Sequence, residues 1–105
     1  MKRETWPLTL ALAGDYLHQD WQRESSTLEE VLGRYANTVS PRQLHGTVAE
    51  IDRMLNSDMS GDQLRQLWFD LDCQYDLPQG EQMREWLHHV REELNMLQKR
   101  SKRAI

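Results

Sequence analysis

From Leu28 onward the apolar residues return every three or four positions, and each such run follows a residue that starts helices. Leu28, Val31, Leu32, Tyr35 and Val39 form one stripe, with Thr27 as N-cap and Glu30 placed to complete a reciprocal capping box. Leu44, Val48, Ile51 and Leu55 form a second, opened by Ser40 as cap, Pro41 in the first turn and Gln43 as box partner. Leu64, Leu67, Trp68 and Leu71 follow Ser60 and Gln63 in the same way. Met83, Trp86, Leu87, Val90, Leu94 and Leu97 then predict a last helix from about residue 81 to 98. Asn56-Ser57-Asp58 and Leu77-Pro78-Gln79-Gly80 read as the breaks between them. Ahead of these, Leu8, Leu10, Leu12, Ala13, Tyr16 and Leu17 predict a helix over about 8–18, begun after Pro7 and apolar on most sides. Strand-like alternation is nearly absent. The pattern predicts an all-α fold, a single-domain bundle or irregular array of about five amphipathic helices.

A chain of 105 residues holds one core and little else. No apolar run approaches the ~20 residues that cross a bilayer. Lys2, Arg3 and the short apolar patch after them suggest a leader at first sight, but Glu4 and Pro7 interrupt it, so the segment reads as mature sequence. Cys73, the single cysteine, excludes an intrachain disulfide and fits a reducing cytoplasm.

Charge is unevenly spread. Four of the 13 basic residues are Lys99, Arg100, Lys102 and Arg103, so residues 1–98 carry nine basic against seventeen acidic residues, a balance of −8. The expected organisation is a helical domain over 1–98 and a flexible basic tail over 99–105. An acidic body argues against a grip on nucleic-acid backbone and suits a cationic partner.

Candidate chemistry is sparse. His88 and His89 are adjacent, so on a helix they point about 100° apart and cannot share a metal. His88 with Glu92, and His89 with Glu93, have the i, i+4 spacing of paired ligands, but nothing supplies a third and fourth. Cys73 is followed by Gln74, Tyr75 and Asp76, which offer no positive charge to form a thiolate. No catalytic, cofactor or metal site is expected, and the chain is read as no enzyme.

The aspartates are placed more tellingly. Asp15 and Asp20 flank the expected end of the first helix, and Asp70, Asp72 and Asp76 surround that of the fourth. A helix C-terminus already carries about half a negative charge, so an exposed carboxylate there costs ~0.3–1 kcal/mol. Placement against that preference is what an acidic docking surface requires. Connections that simply favour aspartate, or internal arginines that pair with it, explain it equally. Trp21 and Tyr75 lie beside these acids and outside the clear stripes, as interface anchors would, although Trp21 also suits packing against the first helix.

The run Gly14-Asp15-Tyr16-Leu17-His18-Gln19-Asp20-Trp21 resembles the HQDW-type motif of the all-helical immunity proteins of contact-dependent growth inhibition (CDI) systems. Ala49-Glu50-Ile51-Asp52-Arg53-Met54-Leu55 is similar to that family's A-E-I-D-x-L-L helix. Leu71-Asp72-Cys73-Gln74-Tyr75 with Pro78 is similar to its aromatic and proline-containing connection, and Arg84-Glu85-Trp86-Leu87 to its R-E-W-L. Leu17 stands where the family usually has a second aromatic, and Met83 where a tyrosine often precedes R-E-W-L. The resemblance spans about residues 8–94. It implies a cytoplasmic, helical inhibitor that neutralises a cognate toxin domain, many such toxins being nucleases. With the acidic body, it predicts occlusion of a cationic active site by a monomer that contacts neither nucleic acid nor membrane directly. The residues assigned to the toxin are Asp15, His18, Asp20, Trp21, Asp70, Asp72, Tyr75 and Asp76. Two rival readings remain: a nucleic-acid-binding helical module using the basic tail, and a small enzyme using the His88/His89 helix.

Overall fold

The computed structural model describes residues 6–17, 27–71, 73 and 77–103. These form five α-helices, α1 (Pro7–Asp15), α2 (Leu28–Thr38), α3 (Pro41–Leu55), α4 (Gly61–Asp70) and α5 (Glu81–Arg103). The all-α expectation holds. The longest helix, α5, packs against α2, α3 and α4, while α1 lies on α3.

The starts of α2, α3 and α4 are where the sequence puts them. The hydroxyl of Thr27 accepts from Glu30 N–H at 3.2 Å, Ser40 from Gln43 N–H at 3.1 Å and Ser60 from Gln63 N–H at 3.2 Å. Each bond satisfies one of the four N–H groups that a helix start leaves without a partner. Both halves of the reciprocal box form at Ser60, whose N–H donates to Gln63 Oε1 at 2.8 Å. At Thr27 and Ser40 the structure shows the first half.

Two helix ends differ from expectation. α1 stops at Asp15 because Tyr16 and Leu17 both turn their N–H groups back to Leu12 O, at 3.1 and 3.2 Å. That widened last turn folds Leu17 completely into the core. α5 continues past Gln98 to Arg103, beyond the last packed apolar residue, Leu97. Cations in a final turn complement the helix dipole, which favours this extension.

α1 begins without a capping side chain, since Trp6 occupies the N-cap and Pro7 follows. The missing acceptor comes from α3. Glu50 Oε2 accepts from Leu8 N–H at 3.1 Å, and Oε1 accepts from Thr9 N–H and the Thr9 hydroxyl, both at 2.8 Å. Glu50 is 5% exposed and Thr9 is fully buried. One turn along α3, the Arg53 guanidinium lies 5.0 Å from the centre of the buried Trp6 ring. The other end of α1 docks through Tyr16, whose ring meets Tyr35 of α2 edge-on at 5.2 Å. The Tyr35 hydroxyl is 2.6 Å from that of Thr47, which donates to Gln43 O at 3.0 Å. Burial pushes the Tyr35 phenol above its ordinary pKa, with the Thr47 hydrogen bond acting against it.

Arginines fasten α5 to α3. Arg84 donates to Leu55 O, at the C-terminal end of α3, and to Met59 O, in the connection that follows it, both at 2.6 Å. Further along, Arg91 Nε donates to Asp52 at 2.6 Å. Trp68 of α4 meets Trp86 of α5 at 5.3 Å, with the ring planes perpendicular, an arrangement that adds about 0.5–1.5 kcal/mol to area burial. At the start of α4 the approach is backbone to backbone: a Cβ at Gly61 would land on the carbonyl of Gly80. Gly80 has φ of 59° and donates its N–H to Asp62 at 3.0 Å.

Two sets of variants test this account. Replacing Glu50 by Ala leaves two helix N–H groups and a buried hydroxyl unpaired, and should cost about 2–4 kcal/mol. In a domain of this size that is a fall in melting temperature of roughly 10 °C or more; an unchanged melting temperature would falsify the capping role. Gly61→Ala should destabilise, because the overlap with the Gly80 backbone outweighs the ~1 kcal/mol of helix propensity gained. Gly33, with nothing near its would-be Cβ, supplies the control of opposite sign: Gly33→Ala should raise the melting temperature.

Candidate toxin-docking surface

Of the eight residues assigned to a partner, His18, Asp20, Trp21, Asp72, Tyr75 and Asp76 lie outside the described residues. Asp15 is the last residue of α1 and Asp70 the last of α4, and no basic residue occupies the final turn of either helix. Both residues therefore stand at the negative end of a helix dipole. Asp70 is exposed, and Gln66 Nε2 donates to its Oδ1 at 3.1 Å.

The backbone around Asp70 is firmly placed. Leu71 N–H returns to Leu67 O at 3.0 Å, and Cys73 N–H returns to Trp68 O at 3.1 Å. Leu71, Cys73 and Leu77 are all buried. The α4–α5 connection is thereby pinned at both ends to the core. Cys73, the candidate nucleophile that the sequence disfavoured, is 2% exposed and works as a core residue.

Beside Asp70 the outward face of α4 borders a shallow depression of about 330 Å³, lined by Met59, Gln63, Gln66, Leu67 and Asp70. The sequence reading missed Met59, Gln63 and Gln66. The signal was available: Gln63, Gln66 and Asp70 recur at i, i+3 and i+7 on the side opposite the Leu64–Trp68 stripe.

The histidines make surface contacts. His89 Nε2 lies 3.4 Å from Glu29 of α2, with both side chains about half exposed. Gln98 Nε2 is 2.9 Å from His45 Nδ1. His88 is exposed above Asp52 and Arg91. Among the described residues no group of three or more His, Cys, Asp or Glu side chains could hold a metal ion. No helix of the described residues is long and apolar enough to cross a membrane.

The stretches that carry the family resemblance now divide by role. In the second, Glu50 caps α1, Arg53 covers Trp6, Asp52 pairs with Arg91, and Ile51, Met54 and Leu55 are buried. In the last, Arg84 anchors α5, Trp86 meets Trp68 edge to face and Leu87 is buried. Both are there to build the fold. In the first, Tyr16 and Leu17 are structural as well, while His18-Gln19-Asp20-Trp21 lies outside the described residues.

No curated protein and no solved structure matches the chain. A family match does exist, described as CdiI immunity protein, and it covers residues 5–94. With nearly the whole helical body inside that match, the chain belongs to the CdiI immunity protein family, the proteins that neutralise the toxins of contact-dependent growth inhibition systems.

Proposed function

We propose that this chain acts in the cytoplasm as a monomer, binding its cognate toxin domain directly and covering the active-site cleft of a cationic nuclease, without catalysing a reaction itself. The observation that carries this reading is how the body's charges are used. Arg53 lies against Trp6, Arg65 against Phe69, Arg84 on the carbonyls of Leu55 and Met59, Arg91 on Asp52, and Arg34 over the Tyr16 ring at 5.9 Å. These five arginines serve contacts within the chain. Meanwhile Asp58, Asp62, Asp70, Glu81, Glu85 and Glu92 are all exposed. Among the described residues of the body the exposed cations are Arg34, Arg42 and Arg53, so the exposed carboxylates outnumber them and the surface charge is predominantly acidic. A field of that sign accelerates encounter with a positively charged cleft and disfavours like-charged competitors.

The toxin assignment centres on Asp15, His18, Asp20 and Trp21 after α1, and on Asp70, Asp72, Tyr75 and Asp76 after α4. Carboxylates at these positions would take the place of the nucleic-acid phosphates that a nuclease cleft binds. Trp21 and Tyr75 would supply the rigid aromatic anchors that commonly dominate interface energetics.

Co-expression with the toxin domain encoded beside it should restore growth, and co-expression with unrelated toxin domains should not. Growth arrest despite folded immunity protein would sink the assignment to that toxin. At the level of residues, exchanging Asp15, Asp20, Asp70, Asp72 or Asp76 singly for asparagine should slow association by roughly 2- to 10-fold at low salt and flatten its salt dependence. Melting temperatures of Asp15→Asn and Asp70→Asn should hold or rise slightly, since each removes an anion from a helix C-terminus. If all five variants melt lower and none associates more slowly, these aspartates serve the fold and the interface lies elsewhere.

A further inference from the structure

We infer that the depression on the outward face of α4 is a socket for one lysine or arginine side chain presented by the toxin, an inference that rests on the toxin-binding reading above. Its lining suits an aliphatic stem that ends in a cation. Met59, half-buried, and Leu67, 2% exposed, give an apolar floor, and long basic side chains lay their methylene groups on such surfaces while the charged head reaches a polar group. Asp70 supplies that group at one end. Gln66 Nε2 donates to Asp70 Oδ1 at 3.1 Å, and Oδ2 has no partner among the described residues. The free oxygen is the acceptor that an incoming cation would meet.

No cation of α4 competes for the site. Arg65, the helix's one basic residue, lies 4.7 Å from the Phe69 ring centre and donates to Leu77 O at 3.3 Å. The end of α4 adds its own partial negative charge beside Asp70. Carboxylate and helix end both select a cation and disfavour an anionic or purely apolar occupant. The amides of Gln63 and Gln66 complete the rim. Gln63 Oε1 is held by Ser60 N–H at 2.8 Å, which keeps that side chain folded toward the helix start and away from Asp70.

The test is a double-mutant cycle with the toxin domain encoded beside this chain. Asp70→Asn removes the charge without changing shape, and Gln66→Trp fills the depression from an exposed position. Each should weaken binding by about ten-fold or more, with the melting temperature nearly unchanged. Alanine scanning of the toxin's lysines and arginines should find one whose loss costs as much alone as together with Asp70→Asn. Toxin binding that neither substitution weakens would overturn the socket and leave the functional reading standing. A wild-type chain that binds no toxin would overturn both. Self-association that Asp70→Asn abolishes would assign the socket to the basic end of a second copy, and would also overturn the proposal.

Discussion

The structure turns on one carboxylate that works for a helix other than its own. Glu50 projects from α3 into the start of α1 and takes the N–H groups of Leu8 and Thr9 together with the Thr9 hydroxyl. A buried anion is costly unless it is paired or well hydrogen-bonded. Here the partial positive charge of a helix N-terminus and three donors take the place of a counter-ion. Without Glu50, α1 would start at Trp6-Pro7 with its donors unsatisfied, and α1 carries Leu12, Ala13 and Leu17 into the core.

From that anchored layer the remaining organisation follows through α5. Arg84 and Arg91 fasten it along α3, and its apolar stripe of Met83, Leu87, Val90 and Leu94 is completely buried. Arginine suits this work because its planar fork can serve two acceptors at once, as Arg84 does with Leu55 O and Met59 O. Committing cations to internal contacts has an electrostatic by-product. Five of the body's arginines make contacts within the chain, and the exposed charge of its described residues is predominantly acidic.

The sequence was most legible where structure is local. Thr27, Ser40 and Ser60 announced three helix starts because a cap needs only its neighbours within one turn. The stripes announced their buried faces for the same reason. Glu50 was not legible as a cap, because its partners are more than forty residues away. The one hint lay in α1 itself, a helix opening on Trp-Pro with no capping side chain of its own. The end of α1 was misjudged because Leu17, apolar and in register, leaves the helix by turning back on Leu12. At the candidate site Asp15 and Asp70 are the last residues of α1 and α4. The resemblance pointed to the right family, yet Glu50, Arg53, Arg84 and Trp86 inside its motifs hold the molecule together. A shared motif therefore reports on folding at least as much as on binding.

The contact between Gly61 and Gly80 makes α4 a lever. Because backbone meets backbone there, no side chain can be trimmed or enlarged in small steps to adjust the angle between α4 and α5. Any substituent must displace one chain from the other. Asp70 lies at the far end of the same helix, about 13 Å from Gly61, so a tilt of roughly 10° would carry it through about 2 Å, enough to misalign a hydrogen bond. A methyl group at the fulcrum would be felt as a change of aim at the tip. Selection for a well-aimed acidic tip would then preserve the glycine even in a protein with stability to spare.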